Sequence, residues 1–410
     1  RASLYTGLYQ MNHRVTYNGT PLDDRFDNVA RAARRAGYAP ALFGYTDTAL
    51  DPRGRDPKDP ALHSYEEVLP GFDCIQPLRE DDATWLGWMA RRGHRPDLLQ
   101  DPHRVAPARD GGVSLAPPAY AAEETQTAFL VNAFVEWLAT QRPDRPWFAH
   151  LSFLRPHPPF AVPPPYAGLV DPASVPAPIP IAADPHVLVR LSRELTPAAH
   201  FQPGLTGSVA GLRADDLRRL RALYYGMIAE VDAQIGRLFV DLKARGYWDD
   251  TVVIFTSDHG EMLGDHGLLG KGGFHAEGQH IPLILRVPGG RSGRIRRFTS
   301  AVDVVPTLLD LWNVDLRHAP DGASLLPALD GAEVGRDWSL WEFDFRHAVP
   351  AEMRAALGLS GQACNLTVLR DTATHYVHSP AFPPLLFDLG ADPDCLDDLS
   401  AHRPEIRRER

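Results

Sequence analysis

Cysteine is scarce in this chain. Only three occur among 410 residues: Cys74, Cys364 and Cys395. The number is odd and the spacing fits no zinc pattern, so neither a disulfide framework nor a zinc ribbon is expected to organise the fold. Free thiols in a reducing compartment are the simpler reading, and with them a cytoplasmic location. No apolar run reaches the roughly 18 residues that a membrane-spanning helix needs. A basic excess is lacking too: 42 Lys and Arg stand against 52 Asp and Glu, a formal net charge of -10. A general nucleic-acid binder would carry a basic face. A local basic pocket for a small anion is still compatible with that balance. Internal repeats are absent.

What is present suits a soluble globular protein, with 44% hydrophobic and 23% charged residues. The length suits one large α/β domain plus a smaller one. Apolar residues at helical spacing predict helices over 24–37, 124–141, 213–244 and 302–311. Between them lie short apolar runs over 40–43, 147–154, 251–256 and 281–287. The run 251–256 is continuous, as in a buried parallel strand. Helices alternating with such strands predict a large, mostly parallel sheet flanked by helices. In such sheets ligands sit beyond the carboxyl ends of the strands. Three loops belong at that edge: 44–48, 155–160 and 257–275. The proline-rich stretches 103–122 and 155–185 read as irregular, because proline fixes φ and lacks a donor. From about 336 the pattern changes to short alternating strands. The expected division is therefore a catalytic α/β domain over 1–335 and a small α+β subdomain over 336–410, an antiparallel sheet with a closing helix.

The strongest local signal is Phe255-Thr256-Ser257-Asp258-His259-Gly260-Glu261. An acid and an imidazole end an apolar strand, and a glycine follows. Adjacent strand residues point to opposite faces, but a turn allowed by Gly260 can aim both at one point. One carboxylate and one imidazole suit a divalent ion that takes further oxygens. An isolated Asp-His pair more often caps a turn. This one continues into Gly264-Asp265-His266-Gly267 and Gly270-Lys271, which favours the metal reading. Asp265-His266 reads as a structural turn.

Several blocks, in order, resemble the sulfatase branch of the alkaline phosphatase superfamily. Arg1-Ala2-Ser3-Leu4-Tyr5-Thr6-Gly7 resembles the second half of the sulfatase signature. The Asp258-His259 block, Arg155-Pro156-His157-Pro158-Pro159-Phe160, and Leu386-Phe387-Asp388-Leu389 with Asp392-Pro393 resemble three further family blocks. Met11-Asn12-His13-Arg14, Gly44-Tyr45-Thr46 and Trp341-Glu342-Phe343-Asp344-Phe345 look closest to phosphonate monoester hydrolases. The resemblance implies an alkaline-phosphatase-like α/β sandwich. It implies one divalent metal ion of Ca, Mn or Mg type, with Asp258 and His259 among its ligands. It implies a formylglycine nucleophile, made from a Cys or Ser four positions before Arg1, and two further acidic ligands upstream. Arg1, His157 and Lys271 take the catalytic roles, Arg1 holding the nucleophile and metal region. His157 and Lys271 bind the ester oxygens, and one of them protonates the leaving group. Asn18 and Tyr45 are substrate contacts. The helix bearing Leu4 and Leu8 is expected to present its amino end to negative charge. Asp47 departs from the family pattern, since a neutral hydroxyl residue would suit an anionic substrate better.

Three functions follow. The first is hydrolysis of phosphonate monoesters, phosphodiesters or sulfate esters. The second is a strict arylsulfatase. The third is an inactive truncated chain serving as a binding module, because residues 1–410 lack the implied nucleophile. The expected partner is a small anionic ester, with no nucleic acid, no membrane, and self-association as a homo-oligomer.

Overall fold

The computed structural model describes residues 1–142 and 144–400. Three strands form a parallel sheet in the order β2–β1–β3: β1 is Ala39–Gly44, β2 is Asp73–Pro77 and β3 is Trp147–Leu151. β1 lies in the middle, and both of its faces are covered. Leu42 packs with Tyr5, Val29 and Val305 on one side. Phe43 packs with Trp85, Phe129 and Phe134 on the other. Helices Val29–Arg35 and Val304–Trp312 thus cover one face, and Ala83–Arg91 and Gln126–Leu138 the opposite one. This is the α/β sandwich that the alternating pattern predicts. The 31-residue helix Ala214–Ala244 packs Leu220, Leu223 and Met227 on Phe160 and Phe201. It thereby backs the loop that carries His157.

Two strands depart from expectation. β4 (Val253–Thr256) pairs with β5 (Leu283–Arg286) in the antiparallel sense. Nor is the pair deeply buried: Phe255 is 38% and Ile284 61% exposed. A continuous apolar run signals strand, but it does not encode strand direction. The C-terminal part is an antiparallel sheet in the order β6–β7–β8–β9, namely Trp338–Asp344, Asn365–Asp371, Thr374–His378 and Leu385–Asp388. The closing helix expected there is not found through Ser400. The helix Ala351–Ala356 falls between β6 and β7 instead, and residues 401–410 lie outside the described residues.

Boundaries shifted where polar side chains intervened. The helix expected from 24 begins at Val29, because the Asn28 side chain accepts from the Arg31 N–H and caps it. The helix expected to hold both Leu4 and Leu8 ends at Thr6, where Gly7 turns left-handed. β3 ends at Leu151 rather than 154. β2 and the helices Ala83–Arg91 and Val187–Leu195 were not anticipated. No helix among the described residues is long and apolar enough to cross a membrane. The three cysteines are free.

Gly44 ends β1 with φ 103°, and a Cβ there would stand 2.3 Å from the Ser152 carbonyl oxygen. The Ser152 N–H in turn donates to Phe43 O at 2.8 Å. Only glycine lets the two strand ends meet and send their loops to one place. Gly44→Ala is expected to cost roughly 3 kcal/mol through backbone strain and displacement of Ser152. A chemical denaturation curve would check this, and an unchanged midpoint would contradict it.

Candidate active site

The loops after β1 and β4 meet the amino-terminal residues at one cleft of about 220 Å³, and the loop after β3 brings His157 beside His259. Arg1, Asn18, Asp47, Asp258, His259 and Lys271 are among the residues that line it. Arg1 is the hub. Its Nε donates to Asp258 Oδ2 at 2.7 Å, and its Nη2 donates to the Tyr45 hydroxyl at 2.7 Å. Its Nη1 lies 3.3 Å from Asp47 Oδ2, and its guanidinium sits over the Tyr45 ring at 4.3 Å. Tyr45 therefore reaches the site through Arg1. Asn18 lies exposed at the mouth of the cleft.

Asp258 and His259 do converge. Asp258 Oδ1 is 3.7 Å from His259 Nε2. Gly260 makes the turn possible: a Cβ there would lie 2.3 Å from Glu277 O. The His259 Nδ1–H donates to Gly260 O at 2.8 Å, so Nε2 is left with its lone pair toward the cleft. Burial, against the pull of Asp258, holds this imidazole at a pKa of about 4 and therefore neutral. Burial would push the Asp258 carboxyl up. The Arg1 charge, with a smaller contribution from His259, overcomes this and holds it well below the usual carboxylate range. An ionised carboxylate beside a neutral imidazole of fixed tautomer is the donor set a divalent ion requires. The two residues fit the implied metal. They would supply two of its ligands.

His157 stands beside His259, with the ring centroids 6.5 Å apart. Its loop is anchored from below. Arg155 pairs with the fully buried Glu230 at 3.0 Å and donates to Ala161 O at 2.8 Å. The His157 Nδ1–H donates to Pro158 O at 2.8 Å, which again leaves Nε2 bare. Burial and then the Lys271 charge lower its pKa, so it is neutral at neutral pH. Lys271 is exposed on its glycine-flanked loop.

Further polar groups adjoin the site, and one of them, His200, escaped the sequence reading. His200 approaches His157 edge-on at 6.0 Å. It lies beyond a proline-rich stretch that offers no pattern to read. Glu261 is half-buried two residues beyond His259, and desolvation pushes its carboxyl up to about 7 although Gly270 N–H donates to it. Asp47 is raised by burial, opposed by Arg1. Ser3 and His13 form a pair at 2.9 Å in the cleft wall. Val15 N–H donates to His13 Nδ1 at 3.0 Å, so Nε2 carries the proton and donates to Ser3. His13 therefore cannot act as a base toward Ser3.

Sheet, flanking helices and the Arg1-centred cleft at the strand ends together define an α/β protein of the alkaline-phosphatase-like class. Residues 1–314 match the family model described as Sulfatase, and the chain belongs to the sulfatase family. The multifunctional alkaline phosphatase superfamily protein PehA of Trinickia caryophylli is 39% identical over 418 residues, spanning 98% of this chain and 80% of that protein. The crystal structure of the phosphonate monoester hydrolase of Agrobacterium radiobacter is 50% identical, with a TM-score of 0.94 over 100% of this chain and 83% of that one. The phosphonate monoester hydrolase SpPMH from Silicibacter pomeroyi is 36% identical, with a TM-score of 0.89 over 99% of this chain and 82% of that one.

Two buried imidazoles set an acid limit on this fold. Burial holds both His13 and His375 at about 4, against roughly 6.5 in an unfolded chain. Between those values the unfolded state binds more protons. Stability is thus fully present above about pH 6.5 and is lost as pH falls toward 4, at up to about 1.4 kcal/mol per pH unit for each group. Melting temperature should fall across that window, and His13→Gln should make the fall shallower. An unchanged slope would contradict the assignment.

Proposed function

We propose that this chain is the main part of a metal-dependent hydrolase of phosphonate monoesters, phosphodiesters and sulfate esters. The observation that carries the reading is the meeting of Arg1, Asp258, His259 and Lys271 at one cleft, with His157 beside His259, from three separate stretches of sequence. The phosphonate monoester hydrolase names and the multifunctional name borne by its relatives favour this breadth over a strict arylsulfatase. The order of motifs, Arg1 through Asp392-Pro393, favours an enzyme over a binding module.

In this reading Asp258 and His259 hold one divalent ion of Ca, Mn or Mg type, with two acidic ligands contributed upstream of Arg1. When bound there, such an ion would offset the charge on the ester oxygens and lower the pKa of the nucleophile, which the family resemblance gives as a formylglycine hydrate. Arg1 keeps Asp258 ionised and aimed, and holds Tyr45 and Asp47 in place. Lys271 carries three N–H donors and is the group that binds an ester oxygen and gives the leaving group its proton. His157 cannot share that role in its observed state, because Nδ1–H is committed to Pro158 O and Nε2 is bare. It accepts a hydrogen bond from substrate or from Lys271. Asn18, at the cleft mouth, contacts the ester's organic group. Residues 1–335 form the catalytic domain and 336–410 the small subdomain. A cytoplasmic location accords with three free thiols.

The test uses the chain extended through its upstream coding segment, assayed on p-nitrophenyl sulfate, p-nitrophenyl phenylphosphonate and a bis-aryl phosphodiester. Turnover of the phosphonate and the diester is expected. A strong preference for the sulfate would assign the protein as an arylsulfatase, and the absence of turnover on all three would reject the enzyme reading.

Lys271→Ala should lower kcat by about 10²–10⁴-fold. The loss should grow as the leaving group becomes more basic, from p-nitrophenol to an alkyl alcohol. Equal losses on both would remove Lys271 from proton donation. Asp258→Asn should weaken divalent-ion binding in calorimetry, and unchanged affinity would remove it from the ligand set.

A further inference from the structure

We propose a second cation site, separate from the cleft, formed by His266, His275 and Glu277, and suited to zinc or a similar borderline divalent ion. It stands independently of the proposed activity. The loop after His259 runs away from the cleft and packs on the C-terminal sheet, where Phe274 joins a core with Leu366, Val368, Val377 and Phe387. On this far side the three side chains each offer one ligand atom, and these atoms lie within 4.8 Å of one another. His266 is 3% exposed and His275 6%. Nε2 of His275 is buried with no hydrogen-bond partner. A buried polar atom without a partner is costly, so this one calls for a ligand; His266 would join through Nε2, the nitrogen that faces Glu277.

The third contact points the same way. His266 Nε2 lies 3.5 Å from Glu277 Oε2. That is long for a hydrogen bond, but it is close to the roughly 3.4 Å that separates two ligands of a tetrahedral ion with bonds of about 2.05 Å. Two imidazoles and one carboxylate are the donors zinc takes when a fourth position is left to water. Calcium or magnesium would demand more oxygens than the cluster supplies. The carboxylate also provides an entry path, since the Glu277 side chain is 28% exposed. Its charge must serve two cations. Arg370 donates to His375 Nδ1 at 3.1 Å and also acts on Glu277. The His266 and His275 rings are stacked at 3.6 Å with 13° between their planes. Parallel rings aim their lone pairs side by side, so one ring turns about its Cβ–Cγ bond when both bind one ion.

Such an ion would brace the active-site loop rather than enter its chemistry. Gly260 N–H donates to Gly278 O at 2.9 Å, and Gly260 follows His259 directly. Fixing 275–278 therefore fixes the backbone that holds the His259 tautomer. Lys271 sits four residues before His275, on the same loop.

The test removes the cleft ligand first. Full chain carrying His259→Ala is stripped with chelator, then titrated with Zn2+ by calorimetry and with Co2+ by visible absorption. One zinc per chain is expected, together with the intense visible bands of low-coordinate cobalt. Adding His275→Phe, which keeps a stacking ring, or the isosteric Glu277→Gln, should each weaken binding by about tenfold or more and bleach the cobalt bands. Far-UV circular dichroism verifies folding, and Glu277→Gln decides if His275→Phe does not fold. No zinc bound to the His259→Ala chain, or binding that survives the folded second-site variants, overturns the site.

Discussion

The guanidinium of Arg1 is where three distant parts of this chain are tied together. It joins the helix at 2–6 to Asp258 beyond β4, and to Tyr45 and Asp47 beyond β1. Asp258 is half-buried beside an imidazole, and a carboxylate in that setting would tend to take up a proton. The adjacent fixed cation keeps it ionised. Every other part of the candidate mechanism presupposes an ionised Asp258, because a protonated carboxyl would be a poor ligand for a hard ion. The pair is therefore a positioning device more than a source of stability, since the gain from a part-buried ion pair is largely offset by desolvation.

The histidines of the cleft follow one design. His157 and His259 each give Nδ1–H to a backbone carbonyl of their own or the next turn, Pro158 O and Gly260 O. Each is left with a bare Nε2 facing the substrate space. Burial keeps both neutral, so the mobile positive charge of the cleft is left to Lys271 and its fixed charge to Arg1. A site for anionic esters gains from this division. In the proposed mechanism the imidazoles would serve as lone-pair donors, to an ion or to a hydrogen, and Lys271 as the acid.

Much of the architecture was legible because hydrophobic period reports burial. The helix Gln126–Leu138 and the helix Ala214–Ala244 fell almost where their apolar stripes put them. The four C-terminal strands did as well, since alternation marks a sheet with two unlike faces. β4 and β5 show the limit. Their apolar runs identified strands, but direction and burial depend on which neighbour each strand meets. The turn at Asn28 likewise overrode an apolar pattern that began several residues earlier, because a side-chain cap competes locally with helix extension.

For the site, sequence alone determined which chemical groups are available: an Asp-His pair after a strand, a lysine among glycines, a histidine among prolines, and an arginine opening a sulfatase-like block. Those are local facts of spacing and residue type. Only the tertiary structure decided that they draw together around one cleft, that Tyr45 reaches it through Arg1, and that His200 stands beside His157. It alone decided that His266 and His275 stack beside Glu277 with ring nitrogens unmatched. The physical reason is that charge state and ligand geometry are set by distances across the fold. A one-dimensional pattern names the groups but does not carry those distances.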